Sequence, residues 1–153
     1  MCRRCGASVR DAAVPTLRRL VSVVPAGLVR NYRDLDVYRS AVDAAMEVFH
    51  ASEQFPDREK YSLTDQVRRS SRSVCANLAE AWRKRRYKAA FVAKLNDVEG
   101  EAAETQVWLE LASRCGYLPP GVFKVLVDRY EKIIAQAVKM ARNADGWAVP
   151  RVE

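Results

Sequence analysis

Residues 61–88, YSLTDQVRRSSRSVCANLAEAWRKRRYK, decide the fold. At ~100° per residue, Leu63, Val67, Ser70, Ser71, Val74, Leu78, Ala81 and Trp82 fall on one side of a helix. Arg68, Arg69, Arg72, Arg83 and Arg86 fall on the other, with Gln66, Ser73, Asn77 and Glu80 as a polar edge between them. The pattern predicts a helix over Ser62–Arg86 that packs one face and shows a basic face to a partner. Ser62 is the expected N-cap. Asp65, three residues on, completes an approximate capping box, its charge suited to the positive helix end.

The same period recurs on either side. A first helix is expected from Leu35 to Gln54, with Tyr38, Ala41, Val42, Ala45, Phe49 and Ser52 on one face and Pro56 stopping it. A third begins near Tyr87 or Lys88. It carries Phe91, Leu95, Val98, Ala102, Thr105, Leu109 and Ala112 at alternating steps of four and three, a heptad seam. Gly116, after Cys115, is the expected terminator, because glycine accepts a left-handed C′ conformation cheaply. Pro119 and Pro120 then open a fourth helix with Phe123, Leu126, Tyr130, Ile133, Ala137 and Met140 on one side, closed by Asp145-Gly146. Four amphipathic helices with short connections imply an all-α, antiparallel up-and-down four-helix bundle. Residues 31–145 form that bundle in this reading, residues 146–153 a C-terminal tail, and residues 1–30 a disordered basic tail interrupted by Pro15, Pro25 and Gly27.

A chain of 153 residues, 49% of them apolar, suffices for one core and leaves no room for a second domain. Its formal charge of +7 is concentrated at the start: six of the 26 basic residues and one of the 19 acidic ones lie in residues 1–30, leaving a net of +2 for the remainder. Within the bundle the charges are segregated, since the basic helix is followed by one carrying Asp97, Glu99, Glu101, Glu104 and Glu110. Cys75 and Cys115 sit in helical patterns as small apolar residues. Cys2 and Cys5 form a CxxC, but no second pair completes a zinc site, so no metal or other cofactor is expected. Leu20–Val29 behind Arg18 and Arg19 is a poor export signal, interrupted by Pro25 and followed by Arg30, and too short to span a membrane. The expected compartment is the cytoplasm.

No reactive constellation has a diagnostic spacing. There is no glycine-rich phosphate loop and no HExxH, and the single His50 cannot supply a di-iron bundle's two Glu-x-x-His motifs. Ser70, Ser71 and Ser73 lack a histidine partner and suit close helix approach instead. A non-enzymatic protein is the expectation. The arginine face has two readings beyond a merely solvated surface. It contacts nucleic-acid phosphates through Arg68, Arg69, Arg72, Arg83, Lys84, Arg85, Arg86 and Lys88, with Trp82 and Tyr87 beside it. Alternatively it pairs with the acidic face of the third helix, within the chain or across a subunit boundary, in a purely structural assembly.

An ordered set of motifs carries a family resemblance: Tyr32-Arg33-Asp34-Leu35, Val37-Tyr38 and Ala41; Phe55-Pro56, Glu59, Tyr61 and Leu63; Gln66, Val67-Arg68-Arg69, Ser73-Val74 and Asn77-Leu78-Ala79-Glu80; then Glu104-Thr105-Gln106 and Gly116-Tyr117-Leu118. From about Asn31 to Asn143 the chain resembles the ribosomal-RNA intervening-sequence proteins. That family is similar to the accessory variability determinant of diversity-generating retroelements, a basic pentameric bundle that binds nucleic acid and assists a reverse transcriptase. The resemblance implies a bacterial, cytoplasmic, non-enzymatic homo-oligomer, five subunits in number, with RNA or DNA and a reverse transcriptase as partners. Ala81 departs from the family's usual glycine and Cys75 from its proline or small residue, which makes the second helix more regular. Residues 1–30 have no counterpart there, so a native start near Val29 is expected. Gln66, Ser73, Asn77 and Glu80 on the second helix, with Glu104 and Trp108 on the third, are the expected oligomer interface, in which arginines of one subunit meet acids of the next.

Overall fold

The computed structural model describes residues 29–148. The tail reading of residues 1–28, with the Cys2/Cys5 pair, and that of residues 149–153 lie outside them. Four long helices, α1 (Asp36–Ser52), α2 (Leu63–Lys84), α3 (Lys88–Arg114) and α4 (Pro120–Arg142), are followed by a short α5 (Ala144–Trp147), and no strand occurs among the described residues. Short 3-10 turns at Tyr32–Asp34 and Asp57–Glu59 precede α1 and α2. Each long helix packs on its sequence neighbours, and α1 closes the ring against α4. Cross-links run antiparallel: Lys94 reaches Asn77 while Thr105 reaches Ser70, and Gln106 reaches the Val127 carbonyl and Glu131. The fold is the expected all-α bundle.

The heptad seam of α3 is buried throughout, as are the eight apolar and small positions expected of α2, joined there by Thr64. On α4 the buried face is Leu126, Tyr130, Ile133, Ala137 and Met140, with Phe123 half-buried. The first helix departs from expectation. Its buried face is Val37, Ala41, Ala44, Val48 and Ser52, rotated by about one position, while Tyr38, Val42, Ala45 and Phe49 are only half-buried. The apolar sector of α1 is wider than one stripe, and its small and aliphatic side fits the core. The two rings work at the margin, Tyr38 edge-on to Tyr32 at 4.8 Å and Phe49 beneath the Arg68 guanidinium at 4.7 Å.

Helix ends show which cap chemistry prevailed. The Schellman arrangement at the end of α3 is complete: Gly116 takes φ +76°, its N–H donates to Ser113, and the Tyr117 N–H donates to Ala112. The expected Ser62–Asp65 capping box does not form. The turn after Pro56 places Glu59 in front of α2, where its carboxylate accepts from the Ser62 hydroxyl and, at 3.4 Å, from the Leu63 N–H. An acid from outside the helix thus satisfies the positive end, and the Ser62 hydroxyl is consumed in positioning it. That bond, first among several, lowers the Glu59 pKa. At the other end of the chain, α4 stops at Arg142, three residues short of Asp145. Ala144–Trp147 forms a separate turn with Ala144 buried and Trp147 edge-on to Trp82 at 6.4 Å.

Several polar groups lie deep in the core. Thr105 Oγ1 is 2.9 Å from Ser70 Oγ and 2.8 Å from the Glu101 carbonyl, tying α3 to α2. The Tyr130 hydroxyl is fully buried with no hydrogen-bond partner among the described residues, and burial pushes its pKa far up. Ser71 beside it partly opposes that rise but gives its own hydrogen to the Arg68 carbonyl. A buried hydroxyl without a partner costs stability, so Tyr130→Phe should raise it by about 1 kcal/mol in urea unfolding. A comparable loss instead would reveal a bonded partner, such as buried water.

Candidate nucleic-acid interface

The eight cations expected to act together fall into three groups. Arg68 and Arg85 are tied to the bundle. Arg68 donates from Nε to Ser52 Oγ at 2.7 Å and lies over Phe49. Arg85, just past the end of α2, donates from Nη1 to the Trp82 carbonyl at 2.7 Å and stacks 3.6 Å from the Trp82 ring centroid. Its burial, followed by the nearby Arg83 and Arg86, lowers its pKa, although a guanidinium keeps its charge in proteins. Two lysines are paired: Lys84 with Glu80 at 3.8 Å and Lys88 with Asp145 at 2.7 Å.

Arg69, Arg72, Arg83 and Arg86 are exposed, and none forms a salt bridge among the described residues. Arg69, Arg72 and Arg83 share a strip about 60° wide and about 21 Å long on the outer face of α2. Ala76 lies in the middle of that strip, and Glu80 borders it about 20° from its edge.

The acids of α3 do not neutralise these arginines within the chain. Lys94 occupies the seam instead, its Nζ 3.1 Å from both Glu80 and Asp97 and 3.2 Å from Asn77 Oδ1. Glu110 pairs with Arg114 on its own helix, and Glu104 accepts from Trp108 Nε1 at 3.0 Å. Glu101 has its pKa raised, first by burial and then by Glu104, with Arg69 opposing across the seam. The six expected interface residues border this α2–α3 seam: Asn77 and Glu80 hold Lys94, Glu104 holds Trp108, and Gln66, Ser73 and Trp108 are half-buried. Beyond Trp108 lie the exposed Val107 and Leu111.

Sequence reading missed Lys94, whose signal was its place one turn before Asp97 in an acidic helix. It also missed α5, which holds Lys88 through Asp145 and Trp82 through Trp147. At the α2–α3 corner, Arg83, Arg85, Arg86 and Tyr87 line a pocket of about 280 Å³. Among the described residues no His, Cys, Asp or Glu cluster could hold a metal ion, and no helix is long and apolar enough to cross a membrane. Exposed His50 lies 3.3 Å from Glu53, and Cys75, its pKa pushed up to about 11 by burial, is an inert thiol.

Residues 33–139 match the sequence model of a family described as 23S rRNA-intervening sequence protein. Among solved structures, the chain is similar to a protein of unknown function from the S23 ribosomal protein family of Bacteroides thetaiotaomicron. The two share 25% sequence identity and a TM-score of 0.63 over 69% of this chain and 95% of that one. No curated protein matches the chain.

Proposed function

Since the chain belongs to the 23S rRNA-intervening sequence protein family, we propose that it is a non-catalytic, cytoplasmic nucleic-acid-binding protein that grips phosphates with the outer face of α2. The observation that carries this reading is the set of four exposed arginines without ion-pair partners among the described residues, three on α2 and Arg86 just past its end, beside a Glu80 that is already held by Lys84 and Lys94. Four such charges held together repel one another, and a phosphate backbone relieves that repulsion by releasing counterions. The outer strip of α2 has few groups able to read base edges, so RNA or DNA would be selected by structure more than by sequence. Any chemistry on the nucleic acid then falls to a partner, of which a reverse transcriptase is the kind the resemblance implies. Fluorescence anisotropy with a labelled RNA hairpin and the matching DNA hairpin tests the reading: tight binding at low salt should weaken steeply as salt rises. Absence of binding to both at low salt would end it.

Self-association is the second part of the proposal. Half-buried Trp108 with exposed Val107 and Leu111 gives the α3 side of the seam more apolar surface than the bundle's own core consumes. Acids there facing the unpaired arginines of a neighbouring copy would make a heterologous contact able to close into a ring. Light scattering is expected to give a mass several times the 17.3 kDa of one chain. A monomer at all concentrations would remove the ring and leave the arginine strip to act alone.

A further inference from the structure

The α2–α3 corner differs from the strip along α2 in being concave. Arg83, Arg85 and Arg86 surround one pocket of about 280 Å³ together with Tyr87. Arg85 is held there by its stack on Trp82 and its bond to the Trp82 carbonyl, which leaves most of its five N–H donors unused. Burial first, and then the charges of Arg83 and Arg86, lower its pKa. No carboxylate of the described residues forms a salt bridge with any of them. The chain then turns directly into α3, a helix of 27 residues whose N-cap, Tyr87, offers no side-chain bond and whose first turn contains no acid. The positive end of that helix adjoins the same corner. Tyr87 lines the pocket and is 62% exposed.

Resting on the nucleic-acid reading above, we propose that this corner seats the terminal phosphate of a nucleic-acid strand, with the end nucleoside stacked on Tyr87. An internal phosphodiester carries one negative charge, whereas a terminal phosphomonoester carries about −1.5 to −2 near neutrality and three acceptor oxygens. Three arginines lining one cavity suit the second better, because planar N–H forks pair with phosphate oxygens two at a time. A strand end also leaves its last base unstacked on one side, and an exposed aromatic ring completes that stack. The outer strip binds phosphates along a backbone; the corner recognises where a strand stops.

The test uses the full chain and one short single-stranded RNA in three forms: with a 5′-phosphate, with a 3′-phosphate, and with hydroxyls at both ends. The wild type should prefer one phosphorylated form over the hydroxyl form by about tenfold. Arg83→Gln with Arg86→Gln, or Tyr87→Ala alone, should remove or sharply reduce that preference while helical circular dichroism is unchanged. Arg69→Gln with Arg72→Gln should weaken all three RNAs alike and keep the preference. Equal affinity of the wild type for the three forms, or a preference that survives in the Arg83/Arg86 variant, would overturn the seat. If no RNA binds at all, the nucleic-acid reading fails, and pyrophosphate titrated against tryptophan fluorescence decides the seat separately. Saturation in the wild type and its loss in the Arg83/Arg86 variant support an anion seat; no saturation in the wild type refutes it.

Discussion

Reversing Arg69, Arg72 and Arg83 to Glu is expected to weaken binding of a structured RNA by at least about 100-fold at low salt, without unfolding the bundle. The three side chains are exposed and make no salt bridge among the described residues, so their loss removes no packing and no buried bond. Surface substitutions of this kind usually change stability by no more than about 0.5 kcal/mol. Their effect on a polyanion is much larger, because each reversal deletes a phosphate contact and sets a carboxylate in its place. Arg68→Ala should behave in the opposite way. Its guanidinium covers Phe49 and is hydrogen-bonded to Ser52, so stability should fall while much of the affinity remains. Unchanged affinity in the triple reversal would show that nucleic acid, if bound, lies elsewhere.

The second large effect concerns the core. Leu95 is fully buried near the start of the α3 seam, between Phe91 and Val98 along the helix. Truncation there removes three carbons from a site walled by helices that cannot all move inward. Leu95→Ala should therefore cost about 3 kcal/mol in urea unfolding and lower the thermal midpoint by roughly 10 °C. A cost under about 1 kcal/mol would mean that the seam collapses readily onto the space.

How far these results were legible from sequence varied with the kind of signal. The α2 face could be read residue by residue because one apolar stripe has charges opposite it, and the α3 face because its heptad spacing runs unbroken from Phe91 to Ala112. On α1 the apolar sector spans both Val37/Ala44/Val48 and Tyr38/Phe49, and periodicity does not say which half turns inward. The local pattern at Ser62 and Asp65 was a reasonable cap, yet Glu59, held by the turn after Pro56, took its place. Helix geometry gave the position of every cation on α2 but not its partner. That Arg85 lies on Trp82, and that Lys94 rather than an arginine occupies the acidic seam, depend on contacts between helices and on rotamers. The exposed arginines were thus visible in the sequence as residues, and their lack of partners was not.

The salt dependence of binding measures the central claim most directly. For one RNA hairpin, log K against log salt should be linear for the full chain, with a slope set by the number of phosphates neutralised. Replacing Arg69, Arg72, Arg83 and Arg86 with Gln should make that slope shallower by about 3, at about 0.7–0.9 per lost contact. An identical slope in the wild type and the fourfold variant would contradict the assignment of this helix face as the nucleic-acid contact.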